Sequence, residues 1–295
     1  MRVSAQRSHA SEPKGVTLRL RSLLFVPGDR PERFEKAAAS GADAIILDLE
    51  DSVAPSRKSD GRAAVSDFLA GSRPVFSIVR VNPLDSGLTE FDLAAILTAR
   101  PDAIMLPKAE GALSVARLNT MMGDAAVPIL PIASETPAAV FELGSYRDIA
   151  QHLIGLTWGA EDLPAAIGAS TSREEDGRYT PPYDMVRALT LFGAHAAGVA
   201  AIDTVYPAIS DLDGLAAYAA RGRRDGFNGM MAIHPNQVPV INAAFSPSDA
   251  EVAHAQAIVD AFADNPAMGA FQLNGKMIDA PHLKQAQRIL QLAKG

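Results

Sequence analysis

Residues Pro128–Pro137 read PILPIASETP. A run of small and β-branched apolar residues, interrupted by Pro131, closes on Ser134, Glu135 and Thr136. A segment apolar at successive positions reads as a strand covered on both faces, the pattern of a parallel sheet between helices. A carboxylate at the end of such a strand is expensive unless it is paired, hydrogen-bonded or bound to a cation. The same form recurs along the chain. SLLFVPG (Ser22–Gly28), AIILDLED (Ala44–Asp51), VFSIVRVN (Val75–Asn82), AIMLPK (Ala103–Lys108), VPILPIASE (Val127–Glu135), LIGLTWGAED (Leu153–Asp162), AAIDTVYP (Ala200–Pro207) and GMMAIHP (Gly229–Pro235) make eight short apolar runs. Alanine-rich stretches with helical spacing lie between them, among them Arg33–Ala39, Asp184–Ala197 and Leu212–Arg221. Eight strand–helix units predict a closed (β/α)8 TIM barrel of the α/β class. The competitor, an open doubly wound sheet, usually carries a glycine-rich phosphate fingerprint after its first strand. Here that strand runs into FVPGDRPERF, with no G-x-G-x-x-G, and no P-loop occurs elsewhere.

Three segments follow from this reading. Residues 1–18 are polar and without periodicity and read as a frayed tail; they lack the apolar core of a secretory signal. Residues 19–245 form the barrel. Residues 246–295 form a C-terminal helix and lid: Ser248 heads SDAE, a capping-box signature before a helix over Val252–Ala263, and the patterned stretch FQLNGKMIDAPHLKQAQRIL follows. This tail is expected to dock on the barrel or on a neighbouring subunit.

Composition narrows the function classes. The 295 residues are 48% hydrophobic and 21% charged with a formal net charge of -7, ordinary for a globular protein and unlike a general nucleic-acid binder. No apolar run approaches the roughly 20 residues of a membrane helix. The chain has no cysteine, which removes disulfides, thiolate metal sites and a cysteine nucleophile and fits a reducing, cytoplasmic setting.

Barrel enzymes place their chemistry at the carboxyl ends of the strands. In strand order those ends carry Pro27-Gly28, Glu50-Asp51, Arg80, Lys108, Glu135, Glu161-Asp162, Tyr206 and His234. Acids and bases therefore converge on one rim. Two carboxylates from separate strands, Glu135 and Asp162, with no histidine pair at ligand spacing, point to a hard, oxygen-seeking cation; Mg²⁺ fits and Mn²⁺ can substitute. His234 is the one histidine at a strand end, read chiefly as a holder of the last loop.

Taken together, LLFVPGDRPERFEKA, IILDLEDSVAP, VRVN, SETP, GAEDL, DTVY, IHPNQ and NGKMIDAP resemble the citrate lyase β-subunit-like CoA-ester lyases of the HpcH/HpaI aldolase superfamily, in their order and over nearly the whole chain. The resemblance implies a TIM barrel, in trimers or hexamers, that makes or breaks a carbon–carbon bond in a β-hydroxyacyl-CoA such as (S)-citramalyl-CoA or malyl-CoA, with acetyl-CoA and a 2-oxoacid as products. It implies Glu135 and Asp162 as Mg²⁺ ligands and Arg80 as the binder of the substrate carboxylate and carbonyl. It implies Phe25, Arg30 and Lys36 as CoA contacts, Glu161 as a substrate contact, and Glu50 and Asp51 as acids that hold the metal's waters. Asp279 is the implied acid/base, delivered by the C-terminal lid. The lyase subunit of citrate lyase, acting on a carrier-protein thioester, and a malyl-CoA thioesterase remain alternatives; IHP in place of INP and the short polar N-terminus weigh against the former.

Overall fold

The computed structural model describes residues 18–266 and 268–294. The expected frayed tail therefore lies, but for its last residue, outside the described residues. Eight parallel strands form one sheet: β1 (Ser22–Pro27), β2 (Ala44–Asp48), β3 (Phe76–Arg80), β4 (Ala103–Leu106), β5 (Ile129–Pro131), β6 (Gly155–Thr157), β7 (Ala200–Asp203) and β8 (Gly229–Ala232). They run in the order β5-β4-β3-β2-β1-β8-β7-β6. Parallel bridges Ile129↔Leu153 and Ile132↔Thr157, with Ala133 N–H donating to the Thr157 carbonyl at 2.8 Å, join the two outer strands and close the barrel. The expected (β/α)8 fold is the observed one.

Alternation along each strand separates two cores, since successive side chains point to opposite faces. Leu23, Ala44, Ile46, Ile78, Ala103, Met105, Leu130, Ile132, Ile202 and Met231 fill the barrel interior, with Phe25 packed against them. Leu24, Val26, Ile45, Leu47, Val79, Ile104 and Leu106 face outward and pack with residues of the covering helices, such as Val65, Leu118 and Leu215. Ile46 and Ile78 have no exposed surface, so truncating either to alanine should cost about 2–5 kcal/mol. Parity then fixes the next layer. Asp48 stands two residues beyond Ile46 and Arg80 two beyond Ile78, and register pairs Asp48 with Arg80. Both side chains therefore point inward at the carboxyl end, on top of the apolar plug.

The strands are shorter than the apolar runs suggest. The fifth run extends to Glu135 but β5 stops at Pro131, and the sixth extends to Asp162 but β6 stops at Thr157. Apolarity continues because the loops beyond are buried too: Ile132, Ala133, Trp158 and Ala160 are all inaccessible or nearly so. One helix between the strands reaches further than expected at its start, and the one expected over Leu212–Arg221 starts as expected and runs on to Asp225. The stretch read from Asp184 begins at Pro181, with Thr180 before it, because proline is well tolerated in a first helical turn. The helix Leu212–Asp225 is opened by Asp211, whose carboxylate accepts the Gly214 N–H. One close approach depends on a missing side chain. Gly28 N–H donates to the Asp48 carbonyl at 2.8 Å, and a Cβ on Gly28 would stand 2.6 Å from that oxygen. Arg21 ties both ends of the unit, donating to Asp43 through Nε and Nη2 and to Ser246 through Nη1.

The barrel unit spans Leu20–Ser246, and a second unit begins at Pro247. In the latter, Ser248 accepts the Glu251 N–H and Glu251 accepts the Ser248 N–H, the expected capping box. The helix it opens runs Asp249–Asp264. The next stretch holds an antiparallel hairpin that the sequence reading did not anticipate, β9 (Ala270–Leu273) and β10 (Lys276–Asp279). Asn274 and Gly275 turn it, both with positive φ, as a two-residue hairpin turn of mirror type demands. A helix over Ala280–Lys294 follows. Ala255, Ile258, Ile278 and Ala286 form this unit's small core, with Phe262 and Phe271 edge to face at 4.8 Å. Among the described residues, no helix is long and apolar enough to cross a membrane.

Candidate active site

The carboxyl rim is organised from the inside outward. Arg80 Nε and Nη2 donate to the two oxygens of Asp48, each at 2.7 Å, a bidentate pair. Burial works against charge on both groups, yet their pairing holds Asp48 below the usual carboxylate range and Arg80 above its ordinary value. The guanidinium lies 4.9 Å from the centroid of the Phe25 ring, and its Nη1 is 2.8 Å from Glu50 Oε2. That last contact is a charge contact without hydrogen-bond alignment, leaving the buried Oε2 without a hydrogen bond. Burial raises the Glu50 carboxyl above its ordinary value, against the pull of Arg80 and Lys108. Lys58 holds Glu50 from behind, donating through Nζ to the Leu49 and Glu50 carbonyls and to Asn82.

Lys108, two residues past β4, joins the remaining acids. Its Nζ is 2.8 Å from Glu50 Oε1 and 3.3 Å from Asp162 Oδ1. Its backbone N–H donates to Glu135 Oε2 at 2.6 Å. Glu135 is 3% exposed, and its other oxygen lies against Gly159, where a Cβ would stand 2.9 Å from Oε1. Burial first, then the neighbouring Asp162 and Glu50, push its carboxyl up to about 8, opposed by the Lys108 N–H. Asp162 opens the short helix Asp162–Ile167 and is more accessible, its side chain 36% exposed. Two carboxylates held side by side, one buried and strained by the other's charge, are a donor set that a hard divalent cation would satisfy. Among the described residues, no group of three His, Asp or Glu could hold a metal alone. A cation at Glu135 and Asp162 would therefore need further oxygens from water or substrate, the habit of Mg²⁺.

Of the residues expected from the sequence, Phe25, Glu50, Arg80, Glu135 and Asp162 meet in this cluster. Asp51 is at its edge, 62% exposed and 3.9 Å from Arg80 Nη1. Glu161 is exposed beside Asp162. Arg30 and Lys36 are exposed on the loop and short helix after β1, and among the described residues neither pairs with the cluster's acids; Arg30 lies 3.9 Å from Asp29. His234 Nδ1 accepts the Asn236 N–H within its own loop, and the buried Gln237 links the Ile233 N–H to the Tyr206 carbonyl, so the longer-range brace of this loop is Gln237. Asp279 belongs to the second unit, ending β10, with Oδ1 2.5 Å from His282 Nδ1.

Three participants escaped the sequence reading. Asp48 was hidden inside the run AIILDLED, where a buried anion was itself the signal. Lys58 lies on a helix with nothing to mark its reach. Asp203 ends β7 fully buried, accepting Trp158 Nε1 at 2.8 Å and Arg187 Nη2 at 2.7 Å. Trp158 directly precedes Gly159, so this network fixes the root of the loop that carries Asp162.

The family model for HpcH/HpaI aldolase/citrate lyase matches residues 21–235. A citrate lyase subunit beta-like protein of Mycobacterium tuberculosis is 37% identical over 270 residues, covering 92% of this chain and 94% of the relative. A (3S)-malyl-CoA thioesterase of Cereibacter sphaeroides is 36% identical over 285 residues, covering 93% and 94%. Mouse mitochondrial citramalyl-CoA lyase is 31% identical over 315 residues, covering 99% and 89%. Among solved structures, CitE from M. tuberculosis in complex with magnesium, acetoacetate and coenzyme A superposes with a TM-score of 0.81 at 37% identity, covering 93% of this chain and 98% of that one. A closed barrel, a rim of paired acids and cations, and matches along almost the full length agree: the chain belongs to the HpcH/HpaI aldolase/citrate lyase family.

Proposed function

We propose that this protein is a Mg²⁺-dependent CoA-ester lyase that cleaves a β-hydroxyacyl-CoA, (S)-citramalyl-CoA or malyl-CoA, to acetyl-CoA and a 2-oxoacid. The observation that carries this reading is the pair Glu135 and Asp162, one buried and the other partly exposed, linked through Lys108 and Glu50 to Arg80 on the barrel rim. The two carboxylates would hold the cation. When bound, Mg²⁺ supplies Lewis acidity toward an α-hydroxycarboxylate or 2-oxoacid.

The remaining steps belong to the chain's own groups. A base takes the substrate hydroxyl proton, the carbon–carbon bond breaks, and its electron pair moves into the thioester as an enolate. Arg80 is fixed by Asp48 and keeps further N–H donors for the substrate carboxylate and for the enolate oxygen, where charge develops. Glu50 and Asp51 hold waters near the cation, and Glu161 contacts substrate. Asp279 is assigned the proton: it accepts from the hydroxyl and returns a proton to the enolate carbon, one group serving both steps. Phe25 supplies an apolar face to the thioester end, and Arg30 and Lys36 meet the CoA phosphates. The C-terminal unit acts as a lid that excludes water, and the enzyme works as a cytoplasmic homo-oligomer, trimer or hexamer. The CoA-ester chemistry named for two of the relatives, the citrate lyase likeness of the third, and the magnesium and coenzyme A of the CitE complex support this assignment.

A second reading, thioester hydrolysis, is favoured by the malyl-CoA thioesterase relative. Following acetyl-CoA, the 2-oxoacid and free CoA from both substrates separates them. Equal acetyl-CoA and 2-oxoacid are expected; free CoA with intact hydroxyacid would replace the lyase assignment with the hydrolase.

A further inference from the structure

Lys108 has no assigned part in this chemistry, yet it touches three acids of the rim, Glu50, Glu135 and Asp162. Its φ is 50°, a left-handed conformation uncommon outside glycine. That conformation coincides with an N–H aimed at Glu135 Oε2, 2.6 Å away, and an ammonium placed between Glu50 Oε1 and Asp162 Oδ1 at 2.8 and 3.3 Å. If only the backbone contact mattered, glycine would hold the turn with less strain. If only the charge mattered, an ordinary backbone would carry it. A lysine in a glycine conformation is explained when both groups are used.

The ammonium and a divalent cation cannot share Asp162 without strong repulsion. The shorter contact, to Glu50, is the natural pivot. Resting on the metal assignment above, we propose that Lys108 is a built-in counter-ion of the site: it neutralises the acids of the free enzyme, is displaced from Asp162 when the divalent cation binds, and remains on Glu50. One consequence is coupling. An anionic substrate brings the negative charge that accommodates both cations, so metal binds weakly to the free enzyme and tightly together with a 2-oxoacid. Lys108 is thus a positioning residue that makes metal binding wait for substrate.

Mn²⁺ binding followed by electron paramagnetic resonance tests this without turnover. Wild-type protein, Lys108→Gly, Lys108→Met and Lys108→Arg are titrated with Mn²⁺ alone and with Mn²⁺ plus pyruvate. Lys108→Gly keeps the turn at little conformational cost, so it guards against misfolding. Removal of the ammonium is expected to tighten Mn²⁺ binding to the free protein roughly tenfold, the scale of one charge acting on a divalent ion a few ångström away in a solvated site. It should also reduce the enhancement by pyruvate by a similar factor, while Lys108→Arg behaves as wild type in both. Unchanged or weaker Mn²⁺ binding in Lys108→Gly would overturn the counter-ion role while leaving the metal site standing. Wild-type protein that binds no Mn²⁺, with or without pyruvate, would overturn both.

Discussion

Gly159→Ala isolates the geometry of one carboxylate. Gly159 is not among the glycines with positive φ, so its backbone accepts alanine without strain. The nearest obstacle is Glu135: the added Cβ would meet its Cγ at 2.7 Å, Oε1 at 2.9 Å and Cδ at 3.2 Å. Ordinary carbon contacts lie near 3.5 Å, so Glu135 must move by roughly 0.5–1 Å. The Lys108 N–H grips the other oxygen at 2.6 Å, so the shift cannot be a simple translation. Displacements of this size at a reacting centre cost up to about a hundredfold in rate. A fall of roughly 10–100-fold in kcat/KM is expected, about 1.4–2.7 kcal/mol of transition-state stabilisation. Overpacking should lower stability by only about 1–3 kcal/mol. The assay is kcat/KM for (S)-citramalyl-CoA across a Mg²⁺ titration, beside a urea unfolding curve. Glu135→Asp shortens the acid, so in the double variant the two losses should be less than additive. A Gly159→Ala enzyme within twofold of wild type would refute the idea that Glu135 must sit where Gly159 and Lys108 hold it.

Glu135→Ala and Asp162→Ala should each abolish Mg²⁺-dependent turnover with unfolding midpoints close to wild type, since both lie on the rim; undiminished turnover in either, or full activity in EDTA, contradicts the metal assignment. Arg80→Lys keeps the charge and loses the planar fork that engages Asp48, so kcat/KM should fall at least roughly tenfold. Asp48→Asn should cost about 3 kcal/mol at neutral pH, because buried Arg80 loses its bidentate partner. Asp48 has a depressed pKa in the fold, so its stabilising effect is present above the unfolded carboxylate range near pH 4 and is lost as pH falls through the folded value. Urea midpoints from pH 7 to pH 3 should thus fall less steeply in Asp48→Asn than in wild type, and parallel curves contradict the pairing. Asp279→Asn should retain thioester binding and oligomerisation but lose most carbon–carbon cleavage, and truncation before Gly275 should do the same. Mixing Asp279→Asn with Asp162→Ala protein should restore activity where the lid crosses between exchanging subunits, whereas failure to restore it assigns the lid to its own chain.

The barrel was legible because burial on both faces leaves near-continuous apolar strands, and Ile45, Ile46 and Leu47 show that pattern with no exposed surface. Where each strand stops was not legible. Hydrogen bonding, not hydropathy, ends β5 at Pro131 and β6 at Thr157, and the buried loops beyond keep the apolar signal running. The acids of the rim could be read as belonging to one end of the barrel, but their partners could not. Asp48 pairs with Arg80 across 32 residues, and Lys108 reaches Glu50 across 58. The left-handed turn at Lys108 has no sequence mark, since such conformations are read from glycine or asparagine. The hairpin in the C-terminal unit did have one, Asn274-Gly275 between the short segments FQL and KMI, which the reading of this stretch as a helical lid does not use.

The most direct test of the site is where a divalent cation binds. Crystals grown with Mn²⁺ and pyruvate locate the metal by anomalous diffraction. The expected result is one peak per chain, with a Glu135 and an Asp162 carboxylate oxygen each within about 2.0–2.3 Å, the range of hard-cation oxygen ligands, and with the Lys108 ammonium withdrawn from Asp162. A fully occupied peak elsewhere, or a rim that stays metal-free with pyruvate bound, would contradict the assignment of Glu135 and Asp162 as the metal's holders.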